Sequence, residues 1–334
     1  MADLKTAITE IVTGLGMCGA DNVESALDVP PPAFRNVDEA TWESLRDAWS
    51  NSPHRDLFVA SFMNGRAFLD ARDALRGRPP LVVEWKGPHK SIGDEAVPAD
   101  LRVDHVYVIS CKYLSRIVVN ASPEHLFDRL LKGGHGQRTG IDWYEEIAAA
   151  EHAALYEVVR ESVEVSLPES VRELTAAQRR ALGHSYVRGT PWPGNGDRLY
   201  AALVERVAAA SAQRWRESIG TTREAMLWRL LRIGSAPYFV LGTSANGFMR
   251  LRIATPWDWR QQFELRKFSI EPRAAGQPMI GWEAIVRRRA DGAEMPVRGF
   301  VEIRWSHGRF GAPPEAKVHL ETLHSEVPGY FALD

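Results

Sequence analysis

The sequence predicts an α/β protein in which helices flank a mixed central sheet, followed by a helical middle and a mostly antiparallel C-terminal β region. Helical segments alternate with short apolar strands in the first half, whereas strands separated by Gly, Pro and Asp-Gly turns follow from Pro237. A length of 334 residues exceeds the usual single hydrophobic core. We therefore expect an α/β core with N-terminal helices over 1–165, a helical segment over 166–234 and a β-rich region over 235–334.

Helix signals come first along the chain. Residues 1–28 have a helical pattern that a run of prolines ends. Asp38 is placed to cap a second helix, and Ser52 caps a third that should end near Gly77. Residues 81–86 then predict an apolar strand.

The stretch from Ala99 to Lys112 predicts a β-hairpin with one polar and one apolar face. Asp100 lies directly opposite Ser110 if the turn has an odd number of residues, for example a turn that begins at Asp104. Because side chains alternate along a strand, Asp100, Ser110 and Lys112 then share one face. A two-residue turn would place Asp100 and Lys112 on opposite faces. The apolar face would hold Leu101, Val103, Tyr107, Ile109, Cys111 and Tyr113.

Helices dominate the middle of the chain. Ser122 and Pro123 open a helix with Glu124 in its first turn, and a glycine-rich loop covers 131–140. Asp142 begins a long helix that runs to about residue 163. Further helices are expected at 175–183, 197–218 and 222–233.

The C-terminal β region interleaves aromatic and basic residues. Its strands are predicted at 238–241, 249–253, 263–270, 280–287, 297–305 and 316–320. Such a mixture can hold a nucleic-acid backbone and stack on bases. In a β domain, however, aromatic residues usually form the core and arginines a solvated face. The candidate nucleic-acid contacts are Trp257, Arg260, Arg266, Lys267 and Arg304.

Composition narrows the class of protein. The formal net charge of −2 gives no global basic signature, so nucleic-acid binding must rest on a local patch. Cys18 and Cys111 lie far apart and indicate neither a disulfide framework nor a zinc site. The sequence begins without the features of a signal peptide, and no run approaches the ~20 apolar residues of a membrane span. A reduced cytoplasm fits these features.

An acid, a short polar group and a lysine on facing strands are typical of a divalent-metal site that acts on phosphodiesters. Mg²⁺ prefers oxygen ligands and usually keeps water and substrate phosphate in its shell. A lysine beside it can position or deprotonate the attacking water and offset developing negative charge. Lys112 lies on an otherwise apolar strand, where a lysine is costly unless it is paired.

Residues 55–131 resemble the PD-(D/E)XK, or restriction-endonuclease-like, nuclease superfamily, with a helix, a strand, a hairpin and a helix that packs back on the sheet. Pro98-Ala99-Asp100 stands where the family has Pro-Asp, and Ser110-Cys111-Lys112 stands where it has (Asp/Glu)-X-Lys. Ser110 thus replaces the second carboxylate. Some restriction enzymes of this superfamily also have serine there and recruit a glutamate from the following helix, a position similar to that of Glu124.

The resemblance implies an endonuclease that uses Mg²⁺, with Mn²⁺ as an alternative ion, to hydrolyse phosphodiester bonds of DNA; RNA is left open. Asp100 and Glu124 would hold the metal, and Lys112 would lie near the attacking water. Ser110 would complete the catalytic set. The implied setting is restriction-modification or another antiviral defence system in a prokaryotic cytoplasm. The implied partners are a second copy of the chain or defence-complex proteins, with no membrane.

The strand before the hairpin offers a second motif. Glu84-Trp85-Lys86 fits Glu-X-Lys, but its partner would be Asp70 or Asp73, which fall inside a predicted helix. We therefore rank this motif second and expect its charged residues to border the main site. The border residues are predicted to be Glu84, Lys86, His89 and Lys90.

Two alternatives to a nuclease remain open from the sequence. One is a nucleic-acid-binding or complex-forming module that keeps the nuclease fold without the activity, since the second carboxylate is missing. The other is an unrelated α/β protein in which the polarity of the hairpin is accidental. The nuclease hypothesis fails if Asp100 and Lys112 lie on opposite faces of the sheet.

Overall fold

A computed structural model of the chain describes residues 3–51, 53–87, 99–113, 117–129, 142–164, 166–187, 189–234, 237–244 and 247–333. The chain divides into two compact units. Unit 1 comprises Met1–Arg116, Arg232–Phe263 and His324–Asp334, and unit 2 comprises Ile117–Leu231 and Glu264–Leu323. Both units are discontinuous, so they differ from the three consecutive segments expected from the sequence. The difference arises because strands distant in sequence pair within one sheet.

Most predicted helices are present, with some changes at their ends. In chain order they are α1 (Leu4–Ala7), α2 (Thr13–Met17), α3 (Val23–Asp28), α4 (Glu39–Asn51), α5 (Arg55–Asp70), α6 (Trp143–Ile147), α7 (Ala149–Ser162), α8 (Ala176–Ser185), α9 (Gly196–Ile219), α10 (Arg223–Leu230) and α11 (Pro256–Gln262). A π-helical segment, Ile8–Val12, joins α1 to α2. No helix within the described ranges has the length and apolar character needed to cross a membrane.

The strands are β1 (Phe34–Arg35), β2 (Val83–Trp85), β3 (Leu101–Val103), β4 (Tyr107–Tyr113), β5 (Ile117–Ala121), β6 (Tyr238–Ser244), β7 (Gly247–Ile253), β8 (Phe263–Ala274), β9 (Pro278–Arg288), β10 (Glu294–Arg304), β11 (Glu315–Leu320) and β12 (Tyr330–Ala332). The six strands predicted after Pro237 are all confirmed. They do not form one β region, because β6, β7 and β12 join the sheet of unit 1.

Two predicted helix starts have a side chain that caps the first turn. Asp38 Oδ1 accepts a hydrogen bond from the Thr41 backbone N–H at 2.8 Å, just before α4. Asp142 Oδ1 accepts one from the Tyr144 backbone N–H at 2.9 Å. The long helix predicted after Asp142 is nevertheless broken into α6 and α7, because Ala148 leaves the helical region at φ −144° and ψ 45°.

The helix predicted to end near Gly77 ends earlier, where α5 ends. Residues after it form turns rather than a helix. Arg76 and Gly77 have φ of 57° and 76°, in the left-handed region that a continuing helix excludes. The backbone N–H of Gly77 folds back to the carbonyl oxygen of Leu69 at 2.6 Å and so closes the helix end.

Unit 1 contains a seven-stranded mixed sheet in the order β1-β2-β3-β4-β6-β7-β12. The pairs β1–β2 and β4–β6 are parallel, and the other pairs are antiparallel. Helix α5 packs on one face of this sheet, where the Phe68 ring lies 5.6 Å from Tyr107 and 5.0 Å from Phe239. Edge-on contacts of this kind add to the free energy gained by burying the rings.

Helices α2 and α5 approach closely because both carry glycine at their contact. A Cβ on Gly16 would lie 2.2 Å from the Phe62 carbonyl oxygen, and one on Gly65 would lie 2.0 Å from the Thr13 carbonyl oxygen. Any larger side chain at either position would separate the helices. The N-terminal helices and α5 therefore form one packed layer against the apolar face of the sheet.

Unit 2 combines helices α6 to α10 with a second sheet in the order β5-β11-β10-β9-β8. An aromatic cluster fills its helical core, with the Phe127 ring 5.7 Å from Trp143 and 5.2 Å from Trp215. The Trp143 indole N–H donates to Ser211 Oγ at 2.9 Å, so the buried polar atom is satisfied. This unit accounts for most of the helical middle predicted from the sequence.

Candidate functional site

The hairpin β3–β4 has the register that the sequence predicts. Leu101 pairs with Ile109 and Val103 pairs with Tyr107, so the turn comprises the three residues 104–106. Continuing this register by one position places Asp100 opposite Ser110. The odd-numbered turn is made possible by positive φ at Asp104 and at the residue after it.

Asp100 is anchored by two hydrogen bonds to the facing strand. Its Oδ2 atom accepts from Ser110 Oγ at 3.2 Å and from the Cys111 backbone N–H at 2.6 Å. Within the residues the structure describes, the other carboxylate oxygen has no hydrogen-bond partner. These two hydrogen bonds to Oδ2 hold the carboxylate in one orientation.

Lys112 lies on the same face as Asp100 and Ser110. Ser110 and Lys112 alternate with Ile109 and Cys111, and the latter two are buried in the apolar core against the N-terminal helices. Lys112 is half-buried, yet its ammonium makes no ion pair with any residue in the described ranges. The condition that would have excluded the nuclease hypothesis is therefore not met.

Strand β2 extends this polar face. Glu84 pairs with Arg102, and the Lys86 backbone N–H donates to the Asp100 carbonyl oxygen at 2.9 Å. By strand alternation, Glu84 and Lys86 project to the face that holds Asp100 and Arg102, opposite the buried Trp85. Both residues thus share the polar face of the hairpin, and their role at its border stays a prediction. Lys86 is only 6% exposed, an unusual burial for a lysine.

Sequence patterns do not identify Tyr238, which lies on this face, or Arg232, whose charge acts on Tyr238. Tyr238 begins β6 and pairs in parallel with Val108, which places its side chain on the polar face beside Ser110. Burial raises the pKa of the Tyr238 phenol; the charge of Arg232 lowers it, the charge of Asp100 raises it and a hydrogen bond with Ser110 lowers it. No local motif could indicate Tyr238 or Arg232, because the pairing of β4 with β6 is a long-range contact.

The close pairing of β4 and β6 depends on Gly242. A Cβ at this position would lie 2.1 Å from the Lys112 carbonyl oxygen and 2.9 Å from the Lys112 Cβ. Glycine is therefore the residue that lets β6 pack beside the backbone of Lys112. The position of this lysine along the strand is set by a contact with a residue 130 positions later in the chain.

Other polar residues near the hairpin have structural roles. Asp104 accepts hydrogen bonds from the Leu81 and Val82 backbone N–H groups at 2.7 and 3.1 Å, as expected of a turn residue. Burial, followed by the charges of Asp100 and Glu10, raises the pKa of the Cys111 thiol well above its ordinary value. Cys111 and Cys18 are both free, and a buried neutral thiol is inert.

Asp73, which the second Glu-X-Lys motif would need, is occupied elsewhere. Its Oδ2 atom accepts from Arg252 Nε at 3.2 Å. Asp70 is the last residue of α5. The second motif thus lacks the strand-borne acid that it requires. His89, Lys90 and Pro98, which the sequence assigns to the border and the motif, lie outside the described residues.

Glu124 belongs to unit 2, whereas Asp100, Ser110 and Lys112 belong to unit 1. It lies at the start of a helical segment that continues as a π-helical turn, His125–Arg129. Ser122 Oγ accepts from the His125 backbone N–H at 3.2 Å, which confirms the predicted helix start. The two metal ligands that the resemblance implies are therefore carried by different units.

The predicted nucleic-acid contacts are also divided between the two units. Trp257 and Arg260 lie on the short helix α11 of unit 1, and Trp257 is 72% exposed. Arg266, Lys267 and Arg304 lie on β8 and β10 of unit 2. Two of these arginines have acidic partners, since Arg266 pairs with Glu264 at 2.9 Å and Arg304 with Glu302 at 3.0 Å.

A metal site made from protein side chains alone is not evident. Among the described residues, no group of three or more His, Cys, Asp or Glu side chains is arranged to hold an ion. Any divalent ion at Asp100 would thus depend on the Ser110 hydroxyl, on water and on substrate oxygens. Mg²⁺ is commonly bound in this way, through one or two carboxylates together with phosphate and water.

Comparisons with protein-family models, with curated proteins and with solved structures gave no match to this chain.

Proposed function

We propose that the chain is a Mg²⁺-dependent endonuclease that hydrolyses phosphodiester bonds of DNA, with its catalytic site on the polar face of the β3–β4 hairpin. One observation carries the proposal. Asp100 and Ser110 face each other across the hairpin, and Lys112 shares their face without an ion-pair partner in the described chain. A substrate phosphate is the partner that such a lysine lacks.

Asp100 would hold the metal ion through its other carboxylate oxygen, and Ser110 would contribute its hydroxyl. These are hard oxygen donors of the kind that Mg²⁺ and Mn²⁺ prefer. When bound, the ion would lower the pKa of its water and stabilise charge on the phosphate. The Cys111 backbone N–H bond keeps the Asp100 carboxylate in place, so the ligand is preorganised.

Lys112 would position the attacking water and offset the charge that develops on the phosphate oxygens. General acid–base and electrostatic contributions of this kind typically amount to about 10²–10⁴-fold in rate. Tyr238 supplies a further polar group beside Ser110, and the charge of Arg232 acts on Tyr238. Glu84 and Lys86 border the same face.

Glu124 is proposed as the second metal ligand on the strength of the resemblance alone. Restriction or another anti-phage defence, a cytoplasmic location and homodimers or defence-complex partners rest on the same ground. A Glu124→Gln variant tests the assignment separately. If Glu124 holds the metal, this variant should need a higher Mg²⁺ concentration for half-maximal cleavage, whereas a cap residue would change only stability.

The experiment is a cleavage screen with the purified full-length chain. Duplex DNA with and without modified bases, single-stranded DNA and RNA are incubated with Mg²⁺, with Mn²⁺ or with EDTA. Lys112→Ala and Asp100→Asn should abolish metal-dependent cleavage, while Lys5→Ala, an exposed lysine of α1, should retain it. Thermal unfolding of each variant shows whether the fold is kept.

The second candidate is a nuclease-fold module that binds nucleic acid or assembles a complex without cutting. Two observations favour it, namely Ser110 in place of an acid and no cluster of three metal-binding side chains in the described residues. The screen decides between the two. If the wild-type chain cuts no substrate with either ion yet binds DNA, the catalytic proposal is wrong and the binding module is supported.

A further inference from the structure

A cleft of about 710 Å³ opens in unit 2, within the size range of small-ligand sites. Helix α8, the first turns of α9, the ends of β10 and β11 and the loop between them form its walls. None of its lining residues belongs to unit 1. The cleft is thus a second candidate site, made from residues that the catalytic proposal does not use.

Positive charge dominates the walls of this cleft. Of the described residues that line it, none is Asp or Glu. Two histidines, His184 and His307, add further polar side chains to the lining. The cationic lining residues are Arg179, Arg180, Arg304, Arg309 and Lys317.

Within the described residues, two of the five cations have a carboxylate at ion-pair distance. Arg304 pairs with Glu302 at 3.0 Å, and Lys317 pairs with Glu315 at 3.5 Å. Although burial favours its neutral form, a hydrogen bond from Ser306 and the charges of Lys317 and His307 hold the pKa of Glu315 below its usual range. Glu315 therefore stays ionised and compensates Lys317.

The other three cations have no such compensation. The guanidinium groups of Arg179, Arg180 and Arg309 donate to backbone carbonyl oxygens at distances between 2.7 and 3.5 Å. Asp142 and Asp197 act on these arginines only at longer range than an ion pair. Three formal positive charges thus face one cleft without a neighbouring carboxylate in the described chain.

Arg309 is a partly buried cation among these three arginines. Burial lowers the pKa of its guanidinium, which packs 3.8 Å from the centroid of the Trp192 ring. Burying a cation without a counter-charge costs free energy, and a bound anion would offset that cost. Arginine forks also match the geometry of phosphate oxygens, which they bind through two parallel hydrogen bonds.

Two residues that line the cleft, Gln277 and Trp305, also carry polar atoms, Oε1 and Nε1, that are buried within the protein and have no hydrogen-bond partner in the described chain. One is an acceptor and the other a donor, and unsatisfied buried groups of this kind are rare in proteins. The Tyr200 ring lies 6.4 Å from the Trp305 ring at an angle of 23°. Aromatic residues in the wall of a cleft suit a nucleobase, whose flat face can stack on their rings.

We propose that this cleft binds a nucleoside phosphate ester, with its phosphates on Arg179, Arg180 and Arg309 and its base near Gln277 and Trp305. The ligand is either a free nucleotide or one nucleotide unit of a single strand. This inference goes beyond the proposed catalytic function and does not depend on it, because cleavage at the hairpin is not required for binding in unit 2.

The test uses the full-length chain carrying Lys112→Ala, in EDTA, so that binding is measured apart from cleavage. A labelled nucleoside triphosphate and a short labelled single-stranded oligonucleotide are titrated by fluorescence anisotropy. Arg180→Glu should weaken binding at least about tenfold, because a charge-assisted contact becomes a repulsion. Arg206→Glu, an exposed arginine of α9 outside the cleft, should leave affinity within about twofold at matched salt.

Arg309→Ala and Gln277→Ala provide independent variants, and thermal unfolding confirms that each remains folded. Binding of the triphosphate alone identifies a free nucleotide, and binding of the oligonucleotide alone identifies a strand. The proposal is overturned if neither probe binds, or if Arg180→Glu and Arg206→Glu change affinity equally. Competition by inorganic phosphate as effective as that by the nucleotide would overturn the assignment of a nucleoside.

Discussion

Ser110 donates a hydrogen bond from Oγ to Oδ2 of Asp100 at 3.2 Å, across the two strands of one hairpin. The same carboxylate oxygen receives the Cys111 backbone N–H. Asp100 therefore has a structural role as well as its proposed catalytic one. The two roles respond differently to substitution, since the hydrogen bonds need an acceptor oxygen and metal binding needs the negative charge.

Replacement of Asp100 by Ala should lower the free energy of unfolding by about 1–3 kcal/mol, because the Ser110 hydroxyl and the Cys111 N–H lose their acceptor. Asp100→Asn keeps a carbonyl oxygen and should cost less. Denaturant unfolding measures both, with Asp21→Ala at an exposed position as the control. Equal stability of the Ala and Asn variants would show that the hydrogen bonds contribute nothing measurable.

Ser110→Asp should make folding stability depend on Mg²⁺. The new carboxylate would face Asp100 on the polar face of the hairpin, at a position where Ser110 is buried, and two like charges there repel unless a cation lies between them. The Tm of this variant should be below wild type in EDTA and should rise more than the wild-type Tm with Mg²⁺. Ser110→Asn has the same size without the charge and is the matched control. No extra response of Ser110→Asp would argue against an ion at this face.

Gly242→Ala should destabilise unit 1 by about 1–3 kcal/mol or more, because its methyl group would collide with the Lys112 carbonyl oxygen. The strand carrying Lys112 must shift, so any catalytic activity should fall more than stability accounts for. Gly234→Ala is the control, since no heavy atom lies within 4 Å of its added Cβ. Denaturant unfolding and the cleavage screen would be measured on both variants.

Asp142→Asn should stabilise the chain at neutral pH. Burial raises the pKa of Asp142 from 3.8 to about 6, so the folded state favours the neutral carboxyl. Stability is then lost as pH rises from about 4 to about 6, by about 3 kcal/mol when the shift is converted at 1.36 kcal/mol per pKa unit. Asn keeps the cap on α6 and removes this loss. The free energies of unfolding of wild type and Asp142→Asn, determined between pH 4 and pH 7, measure this loss. If the difference between the two proteins is the same at every pH, the prediction is wrong.

His152, in the same unit, should make folding stability fall at acidic pH, in the direction opposite to the effect of Asp142. Burial, with a smaller contribution from the charge of Arg179, lowers the pKa of its imidazole from 6.5 to about 4. The folded state favours the neutral ring, so stability is lost as pH falls from about 6.5 to about 4, again by about 3 kcal/mol. His152→Phe keeps the aromatic contact with Phe310 and should remove this acid-side loss. If the stability of His152→Phe falls with decreasing pH as steeply as that of wild type, groups other than His152 cause the loss.

Local sequence signals determined the hairpin and its faces. The alternation of polar and apolar residues from Asp100 to Lys112 permits one register once the turn has three residues, because a slip of one residue would turn Cys111 and Ile109 out of the core. The caps at Asp38 and Asp142 and the C-terminal strands were predictable for the same reason. Each depends on residues close together in the chain.

Tertiary structure alone determined which strands pair and which unit each element belongs to. The pairing of β4 with β6 brings Tyr238 to the face of Asp100, and it divides the C-terminal strands between two sheets. It also leaves Glu124 in the other unit. Strand order between distant segments depends on which apolar faces bury each other, and local patterns carry no information on that choice. The sequence by itself thus determined the polar face of the hairpin, whereas long-range packing determined which residues surround it.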